Sequence, residues 1–216
     1  MSGEDMNIIA YRLNQSPKPI HVAGATLGQK HIELLRKRIQ NGADEIVIVD
    51  FSGIESATAS YLKATIVWLI QSARLALTNG VNHGAPHGPH DPIPLSIYPV
   101  VAGLGADVRE ELDAVLPGYR LTCLETLKRS ERRIQTAVIH GPLDHALQDT
   151  LRALTECGSG TASSLHKRFP DRKISITGWN NRLADLHMLR LAMRRKEGRQ
   201  WLYEPVAAEV KNGRES

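Results

Sequence analysis

Apolar and polar positions follow two rhythms along this chain, and the change from one to the other divides it. Asn7–Leu13 and Ile20–Ala23 read as short strands on either side of a Ser-Pro-Lys-Pro turn. Ile32, Leu35 and Ile39 then recur at helical spacing. They predict a helix from about Leu27 to Asn41, with Thr26 as its cap and Gly42 as its stop. Glu45–Val49 is a short β-branched run, read as a strand buried on both faces, and Asp50 ends it. Phe51-Ser52-Gly53 is a turn signal, after which Glu55, Ser56 and Thr58 can cap a helix and bias its start with negative charge. That helix is predicted over Ala59–Arg74, with Leu62, Ile66, Leu69 and Ile70 on one face. Asn79–Pro94, rich in Gly, Pro, Asn and His, reads as a long exposed loop. Leu95–Val101 resumes as a strand, Asp107–Leu116 as a helix and Arg120–Leu124 as an edge strand. Strands alternating with helices predict an α/β sandwich, a mixed sheet with helices mainly on one face.

The rhythm changes after the charged joint Lys128–Arg133. Ile134–Gly141 reads either as a closing strand or as linker. Beyond Pro142, Leu143, Leu147, Leu151 and Leu154 mark a first helix ending at Cys157-Gly158. Thr161 caps a second, Ala162–Phe169, stopped by Pro170. A third spans about Thr177–Leu189 with Trp179, Leu183 and Leu186 on one face. Leu191–Lys196 and Gln200–Val206 flank Glu197-Gly198-Arg199, a hairpin signal. The expected division is therefore residues 1–127 as one domain, 128–141 as linker or closing segment, 142–207 as a second domain and 208–216 as a polar tail. The two domains are expected to have separate cores.

Charge sharpens this division. Residues 1–125 carry 10 Lys/Arg against 13 Asp/Glu, a net −3; residues 126–216 carry 17 against 10, a net +7. A basic half points to a polyanionic partner. The two cysteines, Cys123 and Cys157, are far apart and suggest no disulfide framework, so a reducing cytoplasm fits. A polar, acidic start and the short apolar stretch Ala64–Ile70 predict neither a secretory signal nor a membrane span. The expectation is a soluble, cytoplasmic protein without a membrane partner.

Asp50-Phe51-Ser52-Gly53-Ile54 followed by Thr58-Ala59-Ser60-Tyr61-Leu62 resembles the motif of STAS domains, known from bacterial anti-sigma-factor antagonists. The divergent STAS-like group, which tolerates bulky residues here, is nearer, and the resemblance covers roughly the first 125 residues. It implies a protein- or ligand-sensing domain and aligns the antagonists' phospho-acceptor with Ser60. The family's flanking Asp and Gly are Thr58 and Tyr61 here. Ser60, Thr58 and Asp50 are thus candidates for phosphorylation or partner contact, beside the alternative of a plain helix cap. Residues 161–206, through Trp179-Asn180-Asn181-Arg182-Leu183 and Arg195-Lys196-Glu197-Gly198-Arg199, resemble winged-helix regulators of the multiple-antibiotic-resistance type. That implies double-stranded DNA as a partner and is compatible with a homodimer spanning two half-sites.

With Trp179, Leu183 and Leu186 inward, Thr177, Asn181, Ala184 and Met188 fall on the opposite side and Asn180 on the flank. Asn180 and Asn181 are the candidate base readers, Thr177 shares their face, and Arg182 is placed to reach a phosphate. Arg194, Arg195, Lys196 and Arg199 crowd the hairpin as candidate backbone contacts. A solvated charged hairpin is the alternative. No Ser-His-Asp set, activated cysteine or carboxylate pair is legible by spacing. His83, His87 and His90 with Asp91 lack a fixed geometry for a metal, and Gly103-Leu104-Gly105 lacks a P-loop lysine. No enzyme activity, metal or cofactor is expected. The leading expectation is a DNA-binding transcriptional regulator. The second is an adaptor of the anti-sigma-factor-antagonist type, controlled by phosphorylation, whose winged helix binds protein.

Overall fold

The computed structural model describes residues 7–16, 18, 20–39, 44–78 and 91–212. The β-branched run predicted as a buried strand is the second position of a six-stranded sheet. The first part of the chain contributes β1 (Ile8–Arg12), β3 (Glu45–Asp50), β5 (Ile97–Ala102) and β6 (Cys123–Arg129), all parallel. β2 (Ile20–Val22) and β4 (Ile54–Ala57) stand apart as a two-stranded parallel ribbon. β4 occupies residues expected only to cap a helix: Ile54 and Ala57 are buried while Glu55 faces out.

Among the described residues, three helices cover one face of this sheet. α1 (Ala25–Arg36) starts one residue ahead of Thr26, after Gly24 at φ 80°, so Thr26 is not its cap. α2 runs over 59–75 as α-helical Ala59–Leu62, π-helical Lys63–Val67 and α-helical Trp68–Leu75. Thr58 caps α2 as expected, accepting from the Tyr61 N–H. Inside the π segment, Thr65 Oγ1 donates to the carbonyl of Tyr61 at 2.8 Å, a bond that competes with the backbone ladder. α3 (Ala106–Gly118) completes this layer. Val47, Val49, Ile97 and Val101 pack here against Leu35, Leu62, Ile66, Leu69, Val108 and Leu112.

The division into two separate cores does not hold. The joint Lys128–Arg133 is the tip of a hairpin: β6 turns at Ser130–Arg133 and returns as β7 (Ile134–His140), antiparallel to it. β6 is therefore interior, although the sequence of Arg120–Leu124 predicts an edge strand, and residues 134–140 are a strand of the sheet and not linker, with a further strand beyond them. The last residue of the expected second domain and residues 208–212 of the expected polar tail form β10 (Ala207–Asn212), which pairs in parallel with β7 and forms the sheet's other edge. The order is β1-β3-β5-β6-β7-β10.

Between β7 and β10 lie α4 (His145–Cys157), α5 (Ala162–Arg168), a 3-10 turn Pro170–Arg172, α6 (Ile176–Met188) and the antiparallel hairpin β8 (Ala192–Glu197) and β9 (Gln200–Pro205). This unit covers the second face of the sheet. Strand residues Ile46, Ile48, Tyr98, Val100, Leu124, Ile134 and Ala137 share a core with Leu151, Leu154, Leu165, Trp179, Leu183 and Leu186. Because successive strand residues point to opposite faces, each half of the chain buries one side of the same strands. The expected helices on one face are only the first layer; the second comes from the basic half.

Candidate nucleic-acid interface

α4 begins at Asp144, whose carboxylate accepts from the N–H groups of Ala146 (2.7 Å) and Leu147 (3.1 Å). α5 begins with a reciprocal cap between Thr161 and Ser164, as the Thr161 signal predicts. α6 begins at Ser175, whose hydroxyl accepts from Gly178 N–H at 3.0 Å. Gly160 exchanges two backbone hydrogen bonds with Tyr203, at 2.9 and 3.0 Å, which ties the α4–α5 connection to β9. His187 fixes the exit from α6. Burial lowers its pKa to about 4, so the ring is neutral and Nδ1–H donates to the Ala192 carbonyl at 3.0 Å.

α6 thus holds Trp179, Leu183 and Leu186 fully inside while Thr177, Asn180 and Asn181 are exposed on its outer side, and Arg182 is half-buried at the flank. Two apolar side chains share the outside: Ile176 is 50% and Met188 38% exposed. Asp185 is exposed there as well.

The hairpin separates its cations by face. Lys196 lies directly across from Trp201, and Arg194 sits two residues away on the same side. The Arg194 guanidinium is 4.4 Å and the Lys196 ammonium 4.5 Å from the Trp201 ring centroid. Each such stacking is worth about 0.5–1 kcal/mol at an exposed site. Arg195, opposite Leu202, points to the other face, and Arg199 is exposed in the turn after Gly198 (φ 58°). Trp201 was missed by sequence reasoning. The two-residue turn Gly198-Arg199 sets the register that puts it under two cations, and that turn was legible.

Asp50, Thr58 and Ser60 sit elsewhere. The Asp50 carboxylate accepts from Ser52 N–H at 2.8 Å and so closes the turn after β3. Thr58 Oγ1 accepts from Gly24 N–H (3.1 Å) and lies 3.1 Å from Ser60 Oγ, with both residues exposed at the start of α2. The structure brings Thr58 and Ser60 together, with Asp50 engaged in its own turn. They belong to the α1–α3 side of the sheet, whereas α6 and the hairpin belong to the opposite side.

One buried polar cluster has no sequence signal. His140, 2% exposed on β7, lies between Asp113 of α3 (Nδ1 to Oδ1, 2.9 Å) and Glu125 of β6 (Nε2 to Oε2, 2.9 Å). Arg109 forks onto both Glu125 oxygens at 3.1 and 3.2 Å. Burial alone would lower the His140 pKa, but its hydrogen bonds to Glu125 and Asp113 outweigh burial and raise it. Burial likewise works to raise the Glu125 pKa, but hydrogen bonds from His140 and Arg109 bring it below its usual value. The pair is a buried ion pair holding α3 to the sheet.

Arg190 makes a second link. It follows α6 at φ 61°, is buried, stacks 5.0 Å from the Tyr98 ring centroid, and donates through Nε (2.9 Å) and Nη2 (2.5 Å) to the Ala73 carbonyl of α2. The exit of α6 is thereby bonded to a helix of the first half.

Cys123 is buried, and burial pushes its thiol up to about 12. Among the described residues, no group of three or more His, Cys, Asp or Glu side chains is placed to hold a metal ion. His83, His87 and His90 lie outside the described residues. Among the described residues, no helix is long and apolar enough to cross a membrane. No family model, curated protein or solved structure matches this chain.

Proposed function

We propose that this protein is an intracellular regulator that binds double-stranded DNA through α6 and the β8–β9 hairpin. The STAS-like first half would receive a protein or ligand signal. The observation that carries the reading is the exposed face of α6 with Thr177, Asn180 and Asn181 beside a hairpin bearing Arg194, Arg195, Lys196 and Arg199. Helix, helix, helix and basic hairpin is the winged-helix order, in which the third helix enters the major groove and the wing lies on backbone or minor groove. Asn180 and Asn181 have the paired donor and acceptor that match an adenine edge. The stacking of Arg194 and Lys196 on Trp201 restricts two long cations, which reduces the ordering entropy lost on binding a phosphate. Selection of bound sequences from a random duplex pool tests it: enrichment of a site bound in a salt-sensitive manner is expected, and absence of such binding to any duplex overturns it.

A second reading is favoured by Ile176 and Met188, exposed apolar residues at the two ends of α6. They suit a protein groove better than a phosphate backbone, and would make the protein an adaptor, with Ser60 exposed for phosphorylation. Salt-insensitive capture of a protein partner, abolished by Ile176→Asp, is the result that would favour it.

A further inference from the structure

The cations at the β6–β7 turn have no part in the interface described so far. Residues 127–133 are all exposed, and from Lys128 to Arg133 four cations face one carboxylate, Glu131. Arg132 already has an interaction within the fold, so the cations available are Lys128, Arg129 and Arg133, none of which forms an ion pair among the described residues. The sheet fixes where they sit. Arg133 precedes Ile134, and Ile134 pairs with Ala207. Ala207 follows Val206, whose N–H donates to the Leu191 carbonyl at 3.1 Å, at the foot of the β8–β9 hairpin. β6 and β10 flank β7, so the tip lies about two strand spacings, on the order of 10 Å, from that foot.

From this placement we infer that the β6–β7 tip is a second phosphate-binding element, which extends the footprint of the α6–hairpin interface along the backbone of the same DNA duplex. This rests on the DNA reading above. Duplex DNA carries one negative charge per about 1.7 Å of axis, so a duplex seated at the hairpin has several phosphates within the span to the tip. Like charges gathered on a short turn repel one another, and a polyanion relieves that repulsion. The tip's cations are assigned to phosphates, so its contribution is to backbone affinity, not to sequence choice.

The test is titration of fluorescent duplex DNA at a series of salt concentrations, with the full chain and with a Lys128→Ala/Arg129→Ala/Arg133→Ala variant. Each lost phosphate contact removes about 0.9 from the slope of log affinity against log salt. The triple variant is expected to lose up to about three units of slope, equally on selected and random sequences. A Arg129→Lys/Arg133→Lys variant should keep the wild-type slope, because charge and not guanidinium geometry sets counterion release, and equal melting temperatures show that all variants are folded. An unchanged slope in the triple variant overturns this inference and leaves the DNA reading standing, provided that hairpin variants still flatten it. If the wild-type chain binds no duplex, both fall. If the triple variant loses affinity for duplex RNA and not for DNA, the tip serves a different polymer and the inference is wrong.

Discussion

Replacing Glu125 by Gln removes one charge from the buried cluster and nearly nothing from its shape. Glu125 is 3% exposed and accepts from both Arg109 and His140, so the substitution leaves a buried imidazolium with one carboxylate in place of two. Removing one member of a buried ion pair costs about 3–5 kcal/mol. Two features place this case at the lower end, at about 3 kcal/mol: the Arg109 side chain is 42% exposed and can turn to water, and His140 can shed its proton. The comparison is Asp113→Asn, which removes the other carboxylate from a side chain that is 50% exposed and should cost only about 0–1 kcal/mol. For a chain of this size, about 3 kcal/mol corresponds to a fall in Tm of roughly 6–12 °C. The pH dependence adds a sign. The folded-state pKa of His140 is raised, so its contribution is full below the unfolded value of about 6.5 and is lost as pH rises through the folded value. The Glu125 pKa is lowered, so its contribution is present above its unfolded value and is lost as pH falls through the folded one. Thermal melting from pH 5 to 9 should show wild type losing stability toward alkaline pH, with that loss beginning at lower pH in Glu125→Gln. Equal costs for the two variants, or an unaltered pH profile in Glu125→Gln, would refute the account of a buried charge pair.

The shared core predicts one cooperative unfolding transition in urea, followed by tryptophan fluorescence and far-UV circular dichroism; two separated transitions would contradict it. Arg195→Ala and Lys196→Ala should each flatten the salt slope of duplex binding by about one unit and weaken all sequences alike. Asn181→Ala should instead relax discrimination at one base pair by about 1–3 kcal/mol, as read by competition titration against single-base variants of a selected site. Ser60→Asp places a negative charge at the exposed start of α2, so urea melts should show stability within about 0.5 kcal/mol of wild type or slightly above it.

Local signals carried most of the elements. The caps at Thr58 and Thr161, the β-branched run of β3, the apolar stripe of α6 and the turn at Gly198 each act over a few residues and are readable in one stretch of sequence. One local signal failed, since Gly24 and not Thr26 stands at the cap of α1; the larger failures came from pairing across distance. Lys128–Arg133 looked like a joint because a charged hairpin tip and a linker have the same composition; the pairing of Ile134 tells them apart, with Arg129 across the hairpin and with Ala207 far along the chain. Residues 208–212 looked like a tail because an edge strand needs to bury only one side. The His140 cluster was invisible for the same reason, since Arg109, Asp113, Glu125 and His140 meet only when α3 lies on β6 and β7. The α6–hairpin candidates were legible as a pattern, but their division between the two faces of the hairpin depends on the cross-strand register, which pairs Lys196 with Trp201 and Arg195 with Leu202.

The place of β10 also bears on how the molecule is made. Thr136 on β7 and Glu209 on β10 touch across 73 residues of chain, and everything between them is the helix-and-hairpin unit. Closing so long a loop is entropically unfavourable until the intervening unit has become compact, which shortens the effective gap. On the ribosome, β1 to β7 are extruded with one sheet face uncovered, and that face is apolar: Ile46, Ile48, Tyr98, Val100 and Leu124. It stays open until α4 to α6 emerge, and the outer edge of β7 stays unpaired until the chain is out as far as Asn212. During that interval a nascent chain exposes both an apolar surface and a strand edge, the two features that invite aggregation and chaperone capture. Synthesis that pauses between His140 and Ala207 should therefore be the step at which yield is lost.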